Sequence, residues 1–279
     1  MRWRRAGAFS REIELRITVK LGGSILEDAN IRARLLSQVS AFVLQGHEII
    51  IVHGGGKSLS QRLSQMQMTS RFIEGLRVTD AETLQVAMMV LAGEVNKRIV
   101  AEMRRLNTIA IGICGADGDA VRCIKISDLP GYPAGIGFVG KPTEVNESFF
   151  DLLLRSRLVP VVSSIALGRD FQFCNVNADQ MAAACAWGAK CDCLIYLTDV
   201  PGVRDENGSV MDRMDKSDIQ KMRSQGILSG GMLPKTSSCL EALEAGVASV
   251  HILPGSAPNI LARFMDGTLT EGTKIYAKD

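Results

Sequence analysis

IVHGGGKSLS, residues 51–60, is an apolar run that stops at three glycines and passes into a helix-like pattern. Gly56-Lys57-Ser58 looks like the end of a Walker-type phosphate loop. Such a loop needs another glycine five positions earlier, where Ile51 stands, so the match fails by spacing. What remains is a buried strand, Ile49-Ile50-Ile51-Val52, followed by His53 and Gly54-Gly55-Gly56. Glycines let backbone N–H groups come close to an anion, and a helix starting near Lys57 adds its positive dipole end. A plain strand-to-helix turn fits the same residues.

The strand-then-helix pattern repeats along the chain. Ile17–Val19 reads as a strand ending at Lys20-Leu21-Gly22-Gly23, residues 30–45 as a helix, and Ile49–His53 as the second strand. Thr79-Asp80-Ala81-Glu82 has the form of a capping box, with Thr79 as N-cap. Leu84, Met88, Leu91, Val95 and Ile99 then mark one face of a long helix. Residues 108–145 read as strands with glycine-rich turns, and Leu158–Ile165 as another buried strand. Asn177–Trp187 is helical, Cys193–Leu197 a strand, residues 215–224 and 234–245 helical, and Ser249–Leu253 and Lys274–Ala277 strands. This alternation predicts an α/β sandwich of three layers around a mainly parallel central sheet. Two lobes are expected, residues 1–189 and 190–279, with a hinge near 188–190.

Composition narrows the functions. A net charge of +2 argues against a nucleic-acid surface, and 5% aromatic residues leave few platforms for stacking bases. No apolar run approaches the ~18 residues of a membrane span. The basic start MRWRRAGAFSREIE lacks the apolar core of a secretory signal. Seven cysteines, an odd number in mostly apolar surroundings, read as reduced thiols of a cytosolic core. Cys191-Asp192-Cys193 does not have zinc-ligand spacing. Nor do His47, His53 and His251, so no metal ligand is assigned.

Four segments carry polar residues that a scaffold does not need: Lys20–Gly23, Gly54–Gly56, Asn175–Asp179 and Ser229–Lys235. In open α/β sheets the C-terminal ends of strands form the ligand crevice. Two lysines, an aspartate and three glycine clusters suit an oligo-anion such as a triphosphate. Singly, Lys20 could be a solvated strand end, Asp179 a helix-start acid and Arg77 a surface residue. Lys235, in a first helical turn, opposes the helix dipole, which favours a functional role. Arg77, just before a helix start, suits a carboxylate clamp through its planar fork.

Taken together, VKLGGSIL (19–26), IVHGGG (51–56), FIEGLRVTD (72–80), MVLAGEVNK (89–97), LVPVVSSIALG (158–168), NVNAD (175–179), YLTDVPGV (196–203) and GGMLPK (230–235) resemble the amino-acid kinase family. The resemblance runs from about Thr18 to about Ile275, and GLRVTD and NVNAD point to its acetylglutamate-phosphorylating members. It implies transfer of the γ-phosphoryl of ATP to the side-chain carboxylate of N-acetyl-L-glutamate, in arginine biosynthesis. Lys20 and Lys235 would flank the transferred group, with Asp179 holding both as the third catalytic member. Gly22 and Gly23 would face the nucleotide phosphates, and Gly55 and Gly56 would contact the phosphoryl acceptor on the substrate side. Arg77 and Asn175, with Asn177, would bind the acceptor. Asp199, Gly202, Val203, Ile227, Leu228 and Ser229 would line the ATP pocket. Lys57 has no part in the motif. Mg²⁺ would be held mainly by the nucleotide.

The same resemblance assigns acceptor binding and dimerisation to the first lobe and ATP to the second. Arg263 stands near where arginine-inhibited relatives carry an acid, and the turn at Glu271-Gly272-Thr273 is poor in glycine. An arginine-insensitive, cytoplasmic homodimer is therefore expected. A kinase of a carrier-linked aminoadipate or glutamate, a non-catalytic arginine sensor and a nucleotide-binding scaffold are the competing readings. Residues 127–140, SDLPGYPAGIGFVG, read as a turn-rich hairpin of unassigned role.

Overall fold

In the computed structural model of the chain, residues 14–131, 135–228 and 230–277 are described. The chain starts with β1 (Arg16–Leu21), α1 (Gly23–Glu27), α2 (Ala29–Leu44), β2 (Glu48–His53) and α3 (Gly56–Gln65). A short hairpin, β3 (Phe72–Ile73) and β4 (Leu76–Arg77), leads into α4 (Ala81–Ala87), a π-helical segment (Met88–Val95) and α5 (Asn96–Arg105). Next come β5 (Ala110–Ile113), β6 (Val121–Lys125), β7 (Val139–Val145), α6 (Glu147–Arg155), β8 (Val159–Ser163), β9 (Ile165–Gly168), β10 (Phe173–Val176) and α7 (Ala178–Gly188). The last part holds β11 (Cys193–Thr198), β12 (Arg213–Met214), α8 (Lys216–Ser224), α9 (Met232–Glu244), β13 (Ser249–Pro254), α10 (Ile260–Met265) and β14 (Thr273–Tyr276).

Eight strands form one sheet in the order β12-β14-β13-β11-β1-β2-β8-β5. Its pairs are parallel except β13 with β14. Because side chains alternate across a strand, β2 feeds both faces. Ile50 and Val52 pack with Met181 and Cys185 of α7 and Cys239 of α9. Ile49 and Ile51 pack with Leu35 of α2, Leu59 of α3 and Ile99 of α5. Burial on both faces explains why these strands read as continuous apolar runs. The expected three-layer α/β architecture is present.

Three local expectations are corrected. Asp80, not Thr79, caps the helix: its carboxylate accepts from Thr83 N–H at 2.7 Å. The expected single helix after it contains the π-helical turn Met88–Val95, which apolar spacing alone does not reveal. The expected strand Leu158–Ile165 divides at Ser164: β8 stays in the large sheet, and β9 joins β6, β7 and β10 in a small closed barrel. The barrel stands beside the C-terminal ends of β1 and β2 and supplies one wall of the crevice there.

Candidate active site

Three charged side chains from distant segments meet at that crevice. Lys20 is at the end of β1, Asp179 in the first turn of α7 and Lys235 in the first turn of α9. All three are buried. Lys235 Nζ donates to Asp179 Oδ2 at 2.8 Å. Lys20 Nζ forms an ion pair with Oδ1 at 2.7 Å. Burial pushes the Asp179 carboxyl up, but the two ammoniums prevail and hold it well below the usual carboxylate range. Burial lowers Lys20 below its ordinary value, Asp179 opposes this, and repulsion from Lys235 adds to it. Within this trio two cations share one anion, while Asp199 acts on Lys20 from the wall of the smaller cavity.

Tyr196, a residue the sequence reading missed, supports this cluster. It is fully buried on β11, and its hydroxyl donates to the Asp179 carbonyl at 2.9 Å. Lys235 Nζ stands 5.0 Å from the centre of its ring. The available signal was an aromatic hydroxyl within the otherwise aliphatic run of β11, CLIYLT. Gly22 leaves room for the end of the Lys20 side chain: a Cβ there would overlap Nζ and push that flexible end aside.

Two cavities open from the cluster. One, of about 560 Å³, is lined by Lys20, Gly23, Gly54–Gly56, Arg77, Asn175 and Asn177. The other, of about 420 Å³, is lined by Lys20, Gly22, Gly23, Asp179, Asp199 and Lys235. Lys20 and Gly23 are on the walls of both. Lys57, left out of the motif above, also lines the larger cavity and is exposed there.

Arg77 is a buried cation of the larger cavity, beside Lys20 and the exposed Lys57. Its guanidinium donates to Ser70 Oγ at 2.5 Å, Ser60 Oγ at 2.7 Å and the Gly56 carbonyl at 3.2 Å. It also stacks over Phe72, 4.6 Å from the ring centre. These partners are neutral, and burial lowers the Arg77 pKa from its ordinary value. Asn175 Nδ2 donates to Thr79 Oγ1 at 3.2 Å, and Thr79 Oγ1 donates to the Arg77 carbonyl at 2.8 Å. The loop of unassigned role has a place here. Thr79 N–H donates to the Ile136 carbonyl, Phe138 N–H to the Thr79 carbonyl and Asn175 N–H to the Phe138 carbonyl. The described part of that loop thus ties Thr79 to Asn175. Asn177 Oδ1 is used as the cap of α7, accepting from Asp179 N–H at 2.8 Å.

The remaining nucleotide-side candidates are placed unevenly. Asp199 is on the wall of the smaller cavity. Gly202, Val203 and Leu228 are buried, and Val203 N–H donates to Thr273 Oγ1 at 2.8 Å. Ile227 borders a separate crevice of about 150 Å³. Ser229 and the arginines at positions 2, 4 and 5 lie outside the described residues.

Known proteins resemble this chain in sequence and in fold. Residues 16–254 match the family described as the amino acid kinase family. The chain is 43% identical over 263 residues to an acetylglutamate kinase of Acidobacterium capsulatum, an alignment covering 94% of this chain and 100% of that protein. It is 40% identical to an acetylglutamate kinase of Koribacter versatilis, covering 94% of this chain and 99% of that one. The crystal structure of smu.665 from Streptococcus mutans UA159 is similar at a TM-score of 0.78 and 26% identity, covering 94% of this chain and 99% of that chain. The chain belongs to the amino acid kinase family.

Proposed function

We infer that this chain transfers the γ-phosphoryl group of ATP to the side-chain carboxylate of N-acetyl-L-glutamate, giving N-acetyl-L-glutamyl 5-phosphate and ADP. The observation that carries this reading is the junction of two cavities at Lys20, with Lys235 and Asp179 beside it. The larger cavity holds the acceptor and the smaller one the nucleotide. A carboxylate oxygen attacks the γ-phosphorus, and the bond to the β–γ bridging oxygen breaks. The acceptor is already ionised at neutral pH, so no general base is needed.

The obstacle is bringing an anion against a polyanion. Lys20 and Lys235 stabilise charge on the transferred group, and Asp179 positions both. Gly22 and Gly23 face the nucleotide phosphates, and Gly55 and Gly56 the transferred group from the acceptor side. Arg77, a buried cation with neutral neighbours, binds an acceptor carboxylate, and Asn175 and Asn177 complete that pocket. Asp199, Gly202, Val203, Ile227, Leu228 and Ser229 serve the nucleotide side. Mg²⁺ bound with ATP would neutralise charge on its β- and γ-phosphates. Among the described residues no group of three or more His, Cys, Asp or Glu is arranged for a metal. In this reading the ion would be held mainly by the nucleotide.

In the same reading, residues 1–189 carry the acceptor and the dimer contact, and residues 190–279 the nucleotide. A homodimer is expected, and light scattering tests it. The seven free thiols support a cytoplasmic location. No helix of the described residues is long and apolar enough to cross a membrane.

The test of the reaction is a hydroxylamine-trapping assay with Mg-ATP. The acceptors are N-acetyl-L-glutamate, L-glutamate, aspartate, carbamate and UMP, with ADP release measured in parallel. Hydroxamate with N-acetyl-L-glutamate alone supports the assignment. ATP binding with no product from that acceptor contradicts it.

A further inference from the structure

His53 and Asn96 take no part in the reaction described above, yet they form a buried polar pair directly behind the glycine loop. Both are fully buried. His53 Nδ1 is 2.7 Å from the Gly54 carbonyl oxygen, a contact that requires the proton on Nδ1. Nε2 then accepts from Asn96 Nδ2 at 3.0 Å. The other amide hydrogen of Asn96 goes to the Val161 carbonyl at 2.8 Å. Every donor and acceptor in this chain matches a neutral ring in one tautomer. Burial and the nearby Lys97 favour that neutral form, pushing His53 down to about 4 against the opposing pull of the Gly54 carbonyl.

The consequence lies in the next peptide. In a trans peptide the C=O and the following N–H point in opposite directions. Holding the Gly54 carbonyl toward the core turns the Gly55 N–H toward the cavity that Gly55 lines. The same residue is pinned on its other side, where Gly54 N–H donates to the Leu21 carbonyl at 3.2 Å, one residue past Lys20. The π-helical segment completes the seat. Gly55 has φ +146°, and a Cβ there would lie 2.7 Å from Leu91 Cδ2 of that segment. Asn96 is the first residue after it. A π-helical turn shifts the helix face, which suits a stretch that must present both Leu91 and Asn96 to one loop.

We propose that His53 and Asn96 are positioning residues for phosphoryl transfer, fixing the Gly54–Gly55 peptide so that the Gly55 N–H meets the group being transferred. This rests on the acceptor assignment made above. The imidazole is used as a rigid hydrogen-bond relay, not as an acid or base.

The test uses the full chain and the hydroxamate assay. His53→Leu and His53→Gln remove the donor at the Nδ1 position, whereas His53→Asn keeps an N–H near it. Loss of one such aimed donor typically lowers turnover by about 10²–10³. We expect that loss in kcat for the Leu and Gln variants, partial rescue to within about tenfold in the Asn variant, and Kd for a non-hydrolysable ATP analogue within about twofold of wild type. Turnover within threefold of wild type in folded His53→Leu overturns the proposal. Equal loss in all three variants also overturns it, because the role is then only packing. ¹⁵N-histidine NMR of the wild-type protein gives a check that needs no variant. A neutral His53 with the proton on Nδ1 is expected, and a proton on Nε2 overturns the relay. Absence of product from the wild-type protein would instead refute the acceptor assignment, so the two failures are distinct.

Discussion

Lys20 and Lys235 stand on opposite oxygens of one carboxylate, at 2.7 and 2.8 Å from Asp179. They come from the first strand and from a helix more than two hundred residues later, so only the completed fold makes the pair. Lys20 lines both cavities, and Lys235 lines the smaller one. The first prediction follows. Lys20→Ala and Lys235→Ala each lower kcat by about 10²–10³ or more while the protein stays folded. Circular dichroism and single-turnover kinetics check this, and a folded variant with near-normal turnover removes that lysine from the mechanism.

Asp179 has the larger structural role. Without it two buried ammoniums face each other. Breaking a buried ion cluster by removing one partner typically costs about 3–5 kcal/mol. Asp179→Ala should therefore unfold in urea at a much lower midpoint than either lysine variant. A loss below about 1 kcal/mol would show that water or side-chain movement already relieves the charges.

Arg77 is held by Ser60, Ser70 and Phe72, so its charge is left for a ligand. Hydrogen bonds to charged groups contribute about 1.5–3 kcal/mol, so Arg77→Ala should raise KM for the acceptor by about 10-fold to 100-fold or more. KM for ATP should stay nearly unchanged. Ser60→Asp should weaken the acceptor as well, by adding an internal counter-charge. An equal rise in both KM values in either variant contradicts the assignment of the larger cavity.

Two histidines make stability depend on pH. Burial lowers both His53 and His251 to about 4, and both charge near the ordinary value of 6.5 once unfolded. Between those values the unfolded chain binds more protons, so stability is full above about pH 6.5 and falls as pH drops toward 4. Each histidine contributes a slope of at most about 1.4 kcal/mol per pH unit. Urea midpoints at pH 7, 6, 5 and 4 check this. Midpoints that do not change over that window contradict neutral burial of these rings.

Arg263 forms a two-pronged ion pair with Glu271, at 2.6 and 2.8 Å. That pair occupies the Glu271 carboxylate, which is then not free for a second guanidinium. Activity should hold as L-arginine is titrated through the millimolar range. Strong inhibition at sub-millimolar concentration contradicts this.

Much of this was legible in the sequence because apolar runs and their glycine endings are local signals. The strands at Ile17, Ile49, Cys193 and Ser249 are where the runs stand, since a parallel strand buried on both faces needs an unbroken run. Lys20, Asp179 and Lys235 stood out as charges at strand ends and helix starts, and the fold unites them. What stayed hidden depends on distant partners. Thr79 resembles an N-cap locally, but its hydroxyl is used between Arg77 and Asn175, and Asp80 takes the cap. Nothing near Tyr196 in the chain reveals that its hydroxyl meets the Asp179 backbone. The π-helical turn keeps apolar spacings that an α-helix also permits, and its wider backbone hydrogen-bond pattern, such as Asn96 N–H to the Leu91 carbonyl, is visible only in the fold.

The most direct measurement follows one oxygen atom. N-acetyl-L-glutamate carrying ¹⁸O in its side-chain carboxylate is incubated with Mg-ATP, the enzyme and hydroxylamine, and the released phosphate is analysed by mass spectrometry. Attack by the carboxylate on the γ-phosphorus makes its oxygen the bridge of an acyl phosphate. Hydroxylamine then cleaves at the carbonyl carbon and leaves that oxygen on phosphorus. The account predicts one ¹⁸O per phosphate, in step with ADP and hydroxamate. Unlabelled phosphate, or ADP release without hydroxamate, would contradict it.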